Sequence, residues 1–473
     1  MFITHGVRRP AYFRLLSTYP RARRSVRSGL QPTSTCTTDS SETSFSHQRR
    51  LGTHDPRDGF LMRIAMVSEH ASPLAAPGGI DAGGQNVHVG CLAAALVDRG
   101  HEVSVFTRRD SGEQHDQVVV SQGYRVVHVP AGPSEPVSSD ELLLHTGDFA
   151  SQLAEHWTRD RPDVVHAHFW MSGLATQLAA RPLAIPTVVT FHALGVVERR
   201  HQGPRDTSPP SRAKMERLVA RGADHVVATC SDEVTELVRM GIPRRRVSVV
   251  PCGVDVGRFR PAPVSSPDPA RRRRLVAVGR LIPRKGFDLA IAALASIPDA
   301  ELIVAGGERS DVSDDDEARR LRQIAVAHGV ADRVRLVGQV SHEAMPDLLR
   351  SADIVVCTPT YEPFGIVPLE AMACGIPVVA TAVGGFLDTV IDGVTGVLVH
   401  RRTPAAVADA VRRLLNDEGR RTGYGMSAAD RARARYSWEQ IAVDTDRVYR
   451  SLLPEPAAAD TADVSGDDQL DRV

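Results

Sequence analysis

The chain has 473 residues, 42% of them hydrophobic and 24% charged, a length that calls for more than one hydrophobic core and a composition ordinary for a globular protein. Its 57 basic and 57 acidic side chains cancel, which excludes a whole-chain field suited to nucleic acid, and no apolar run is long enough to make an integral membrane segment. The charge is uneven along the chain: residues 1–61 hold ten arginines against four acids, and residues 454–473 hold six acids against one arginine.

Residues 1–61 contain 16 Ser and Thr and show no sustained apolar period. They read as a disordered leader or a mis-assigned start, with an Arg- and Ser-rich transit peptide as the competing reading. Met62 opens MRIAMVSEH, which has the pattern of a first strand. The tail PEPAAADTADVSGDDQLDRV, residues 454–473, reads as a disordered acidic segment. Cysteines at 36, 91, 230, 252, 357 and 374 have no metal-ligand spacing, so reduced, buried thiols and a cytoplasmic location are expected.

From residue 62 short β-branched runs alternate with helical patterns. Strands are expected at 63–68, 102–107, 163–168, 187–190, 225–229 and 247–251, with a helix over 85–99 stopped by Gly100. After PAPVSSPDPARRRR, residues 261–274, the pattern restarts. Strands are expected at 275–278, 301–305, 333–337, 354–357, 377–380 and 397–399, and helices at 288–296, 316–328, 344–351, 368–373, 405–416 and 438–453. This alternation implies βαβ units and two doubly wound α/β domains, 62–258 and 274–430, joined by a linker at 259–273 and followed by a helical segment at 431–453. In such sheets ligands gather outside the carboxyl ends of the strands.

Three strand-end loops are unusual. GGIDAGGQNVHV, residues 78–89, is a Gly-rich turn entering a helix, suited to an anion such as a diphosphate. Its spacing is not GxGxxG, which weakens a nicotinamide or flavin reading, and a simple tight turn would account for the glycines equally well. GRLIPRKGFD, residues 279–288, places Arg280 and Lys285 in one loop; Lys285 is one of only two lysines in the chain, where composition alone would have put arginine. PTYEPFGIVPLEAMACGIPVVAT, residues 359–381, sets Glu362 and Glu370 around Gly365, Ile366 and Val367. Pro368 suits a first helical turn, the preceding amides could cradle a phosphate, and Glu370 in that turn could hydrogen-bond a vicinal diol. Acids that merely complement the helix dipole would explain Glu370 but not Glu362.

At these loops the chain, over roughly 62–453, resembles the retaining glycosyltransferases of family four, which have the GT-B fold of two Rossmann-like domains facing across a cleft. Asp81–Val89, His166–Trp170 and PCGVDVGRF at 251–259 resemble the branch holding sucrose-phosphate synthases and the mycothiol-pathway glycosyltransferase. The resemblance implies a nucleotide-diphosphate sugar donor, a small-molecule or glycan acceptor, and neither cofactor nor catalytic metal. It assigns Arg280 and Lys285 to the leaving diphosphate, and Gly84 with Gly365, Ile366 and Val367 to donor phosphate and sugar. It assigns Glu362 to the sugar, Glu370 to the ribose, and His192 to the reaction centre. Asn86 and Arg212 match acceptor-side positions, while the acceptor-phosphate lysine of the mycothiol enzyme has no counterpart in AGPSEPVSSDELL, residues 131–143. The helix at 438–453 resembles the one that crosses back to the first domain.

Other readings remain beside this one. Sucrose or sucrose-phosphate synthesis and assembly of envelope or storage glycans are rivals among the transferases; an inactive sugar-binding scaffold is the rival outside them. A pyridoxal-dependent glucan phosphorylase would need one of the two lysines for its Schiff base. His166 and His168 share one strand face without an obvious third ligand and read as a packed, cleft-lining pair. The acids in DVSDDDE, residues 311–317, read as caps of the following helix rather than a calcium loop.

Overall fold

A computed structural model describes residues 60–75, 84–262, 271–307 and 310–454. The leader apart from its last two residues, residues 76–83 of the first glycine loop, most of the expected linker and the acidic tail beyond Pro454 lie outside the described residues.

The first domain runs β1 (Arg63–Val67), α1 (Gly84–Asp98), β2 (Glu102–Arg108), β3 (Gln117–Val119), β4 (Arg125–Val129), α2 (Ser139–Arg159), β5 (Val164–His168), α3 (Trp170–Ala180), β6 (Thr187–Thr190), α4 (Gly195–Gln202), α5 (Arg212–Gly222), β7 (His225–Ala228), α6 (Ser231–Arg239) and β8 (Val247–Val249). Its eight strands are ordered β3-β4-β2-β1-β5-β6-β7-β8, parallel except for the β3–β4 pair. Along β1 the two side-chain faces are both buried, as a parallel sheet covered on both sides requires. Ile64 and Met66 pack with Val89, Leu92 and Leu96 of α1, whereas Ala65 and Val67 pack with Phe149 and Leu153 of α2 and Ala175 of α3. The β3–β4 hairpin was not expected from pattern; β3 is only three residues long and half exposed.

The second domain runs β9 (Arg273–Val278), α7 (Phe287–Leu294), β10 (Ala300–Ala305), α8 (Asp316–Ala327), β11 (Val334–Gly338), α9 (Met345–Arg350), β12 (Ile354–Cys357), α10 (Ile366–Ala373), β13 (Val378–Thr381), α11 (Phe386–Thr389), β14 (Gly396–Val399), α12 (Pro404–Leu415), α13 (Glu418–Tyr436) and α14 (Trp438–Arg450). Its six strands are all parallel, in the order β11-β10-β9-β12-β13-β14. Leu275 and Ala277 face α7, α8 and α12, while Val276 faces α9, α10 and α13. The acids before α8 act as caps: the Asp315 side chain accepts from the Ala318 amide. α13 was also unanticipated, since two glycines, Gly423 and Gly425, interrupt its helical pattern.

α14 packs on the first domain rather than the second. Ile441, Ala442, Val448 and Tyr449 join the cluster built on β1 and α1, and Asp446 accepts from Arg99 (2.6 Å) and Arg450 (2.8 Å). The helix therefore ties the end of the chain to the first sheet.

Candidate active site

Strand order fixes where a ligand can sit. In the second sheet the chain moves outward from β9 through β10 to β11, then returns to place β12 on the other side of β9. That reversal opens a crevice at the carboxyl ends of β9 and β12. The two loops bordering it are the ones that carry Arg280, Lys285 and Glu362.

Lys285 ends a single turn of 3-10 helix at Pro283–Lys285, and its aliphatic stem lies against Gly279. Its Nζ donates to Glu362 Oε2 at 2.7 Å. Arg284, which sequence reasoning passed over, donates to the Tyr361 carbonyl at 2.8 Å and stands 3.6 Å from the same carboxylate. Arg280 is exposed and adds to the positive field, with no ion pair among the described residues. Burial pushes Glu362 upward, but Lys285 and Arg284 outweigh it and hold the carboxyl below its ordinary value. The result is three cations gathered around one ionised acid.

The loop after β12 continues into α10. Gly365 caps the helix at φ 86°, and no side chain caps its first amides, which belong to Ile366 and Val367. These amides and the positive end of the helix face the same crevice as Lys285. The helix starts at Ile366, so Pro368 is its third residue and Glu370 its fifth, two residues deeper than the sequence suggested. Burial pushes the Glu370 carboxyl up to about 7. A ribose diol donating to it would favour the carboxylate, so binding below about pH 7 should release a proton. Nucleoside-diphosphate affinity is therefore expected to fall by up to about tenfold per pH unit as pH drops below that value. Calorimetric titrations at about pH 6 and about pH 8 check this against Glu370→Gln, in which that part of the pH dependence should disappear.

The first sheet has its own reversal between β1 and β5, and four histidines collect near it. His166 and His168, on β5, pack with ring centroids 4.3 Å apart and planes tilted by 34°. His166 is held between Tyr449 Oη (2.7 Å) and Thr190 Oγ1 (2.9 Å). His168 Nδ1 lies 3.0 Å from Nε2 of His192, and His88 of α1 packs edge-on to His192 at 5.0 Å. His192 has a φ of 60° and Phe169, at the end of the neighbouring strand, a φ of 79°, an unusual backbone for non-glycine residues that aims both side chains from the strand ends. Burial lowers His88 to about 4 and His166 to about 3, and places His168 and His192 well below the ordinary value. All four are neutral imidazoles at physiological pH. His88, His168 and His192 each bring one ring nitrogen within 4.8 Å of the others, a spacing that could admit a metal ion. The pair His166 and His168 thus has histidine neighbours that sequence spacing did not supply.

The remaining expected residues are spread around this edge. Gly84 opens α1, and a Cβ placed there would meet Ile366 Cδ1 at 3.4 Å, so the two glycine-led helix starts approach each other across the cleft. Asn86 is buried and donates to the Ser72 carbonyl at 3.0 Å. Arg212 is buried and heavily engaged: Nε to Glu216 (2.8 Å), Nη1 to Glu198 (2.6 Å), Nη2 to the Ala193 carbonyl (3.1 Å), with the guanidinium over Phe169.

Several contacts join the two domains around the cleft. Tyr361 inserts into the first domain's apolar cluster and stacks on His201 at 4.8 Å. The Cys230 thiol, held protonated by burial that pushes it up to about 12, donates to the Pro363 carbonyl at 3.2 Å. α6 has no cap from its own N-terminal side chain; Asp388 of α11 supplies one, accepting from Ser231 N and Ser231 Oγ, both at 2.6 Å. Asp388→Ala is expected to destabilise the protein by about 1 kcal/mol, as loss of an N-cap does. A urea melt followed by tryptophan fluorescence measures it, and an unchanged midpoint would show that this contact carries no weight.

Residues 82–258 match the family model described as Glycosyltransferase Family 4, and residues 262–431 match that described as Glycosyl transferases group 1. The chain is 39% identical over 405 residues to a D-inositol 3-phosphate glycosyltransferase of Xylanimonas cellulosilytica, with 82% of this chain and 96% of that protein covered. It is 37% identical over 435 residues to one of Kineococcus radiotolerans, with 86% and 99% covered. Among solved structures, the sucrose-phosphate synthase of Thermosynechococcus elongatus superposes with a TM-score of 0.75 at 32% identity, covering 83% of this chain and 99% of that one.

Proposed function

The chain belongs to the family 4 glycosyltransferases, of GT-B fold, and on that premise we propose that it moves a hexosyl unit from a nucleoside-diphosphate sugar to an acceptor hydroxyl, with retention at the anomeric carbon and without a catalytic metal. The observation that carries this reading is the convergence of Arg280, Arg284 and Lys285 with the start of α10 on one crevice. Such an arrangement stabilises negative charge developing on a departing diphosphate.

Retention has two routes. A carboxylate could attack the anomeric carbon and form a covalent intermediate. Glu362 is poorly suited to this, because Lys285 already occupies one of its oxygens and Arg284 stands beside it. The alternative is same-face substitution. The bond from the anomeric carbon to the diphosphate breaks and the bond to the acceptor oxygen forms on the same side. The acceptor proton passes to the departing phosphate oxygen, and the nucleoside diphosphate leaves. His192, neutral, serves as a hydrogen-bond partner near the sugar rather than as a cation. Closure of the cleft over the donor would exclude competing water. Four of the five free cysteines among the described residues are buried, which fits a reducing, cytoplasmic site of action.

Thermal shift of the full chain with UDP, GDP, ADP and dTDP, each without metal, tests the reading. A nucleotide at about 100 times its dissociation constant should stabilise by about 2.7 kcal/mol. One nucleotide standing out is the expected result. No response from any of them would favour an inactive scaffold. Transfer abolished by EDTA would overturn the metal-free mechanism and turn attention to His88, His168 and His192.

A further inference from the structure

The proposed transferase reading leaves the acceptor open, and this inference rests on that reading. The crevice of the first sheet lies at the carboxyl ends of β1 and β5, and the residues that leave β1 there are Ser68, Glu69 and His70. Glu69 is 1% exposed, and neither of its carboxyl oxygens has a hydrogen-bond partner. His70 Nδ1 is also unpartnered, and its ring packs edge-on against Phe169 at 4.9 Å. Two adjacent buried polar groups without partners are costly to a fold and rare without a reason. Burial pushes the Glu69 carboxyl up to about 8, so near neutral pH it carries a proton and can both donate and accept.

Among the described residues, the arginines around these strand ends have partners. Arg212 is held by Glu198 and Glu216. Arg108, beside Glu69, donates to the carbonyls of Pro133 (2.5 Å) and Glu135 (2.6 Å). Arg109 pairs with Asp116, Arg199 with Asp206 and Arg200 with Glu236. The histidines are neutral. By sequence, residues 131–143, whose carbonyls hold Arg108, bring three acids and no cation. A phosphate dianion entering here would have to compete with the carbonyls that hold Arg108 or with the carboxylates that hold the other arginines.

We propose that the acceptor is an uncharged sugar or polyol, recognised through a hydrogen bond between one of its hydroxyls and Glu69, and that this site disfavours the phosphorylated acceptor class. A hydroxyl satisfies the Glu69 carboxyl by donating and accepting at once, whereas a dianionic phosphate group has no proton to donate and brings charge that must be desolvated. Glu69 is in this respect a binding residue, and the loss on its removal should appear in KM for acceptor.

The test measures nucleoside-diphosphate release by the full chain, with the donor chosen by nucleotide binding. Acceptors are offered in pairs: myo-inositol with D-inositol 3-phosphate, and D-fructose with D-fructose 6-phosphate. The neutral member of at least one pair is expected to give kcat/KM about tenfold or more above its phosphate. Glu69→Ala should raise acceptor KM by about 10–100-fold and leave the nucleotide-induced thermal shift unchanged, whereas Glu69→Gln, which keeps a donor and an acceptor, should stay within about threefold. A tenfold preference for either phosphate, or no transfer to any neutral acceptor with donor bound, overturns the proposal. So does an unchanged acceptor KM in both variants. Failure of every nucleotide to bind overturns the transferase reading instead, and the acceptor proposal falls with it.

Discussion

Lys285→Ala should lower kcat by about 10²–10³, the loss typical when one preorganised group opposite a developing oxyanion is removed. Lys285 is positioned for this by its surroundings. Its stem runs along Gly279, and Glu362 holds its ammonium at 2.7 Å, so little reorganisation is needed when charge grows on the leaving phosphate. The variant should remain folded, because Arg284 and Arg280 stay near Glu362 and keep its carboxylate compensated. The appropriate comparison is kcat against the thermal midpoint of the same sample: a large fall in the first with a small change in the second is expected. Near-normal turnover would remove Lys285 from the mechanism. Lys285→Arg should recover only part of the rate, since a planar guanidinium cannot place a compact charge where the ammonium lies.

That these residues meet at one crevice was legible because their signals are local. Arg280, Lys285, Glu362 and Gly365 lie in two loops, each following a β-branched run and preceding a helix, and that pattern alone brings both loops to the carboxyl edge of one parallel sheet. Arg284 was not legible, because one more arginine in an Arg-rich chain has no compositional signal. Glu370 was expected in the first helical turn because Pro368 was read as the helix start, whereas the helix begins at Ile366, two residues sooner, after the left-handed Gly365.

The first-domain crevice was less legible for a different reason. His88, His168 and His192 come from α1, the end of β5 and the turn after β6, and only strand order makes them neighbours. Glu69 carries no signal beyond being an acid after a strand; its meaning comes from what does not surround it. Asn86 and Arg212 were expected at the acceptor through resemblance. The structure adds that the Arg212 donors are taken by Glu198, Glu216 and the Ala193 carbonyl, which changes what an acceptor could ask of it.

Gly365→Ala should be the more damaging of the two changes at this crevice for the fold. At φ 86° a left-handed backbone costs an L side chain about 1–2 kcal/mol. A Cβ there would also stand 2.2 Å from Cε1 of Phe386, itself buried in the core against α10 and α13, so the ring cannot simply rotate away. Overpacking of this kind costs a further 1–3 kcal/mol, roughly. The local path of relief is to move the Glu362–Gly365 loop. That loop is also anchored from the other side, where the Glu362 carbonyl accepts from the Gly385 amide at 3.0 Å. Relief would therefore shift the Glu362 carboxylate and the first amides of α10 together. The variant should lose both thermal stability and nucleotide binding, whereas Lys285→Ala should keep the fold. A Gly365→Ala protein that melts and binds nucleotide like the wild type would show that the loop tolerates a side chain, and that the helix start is not the cradle proposed here.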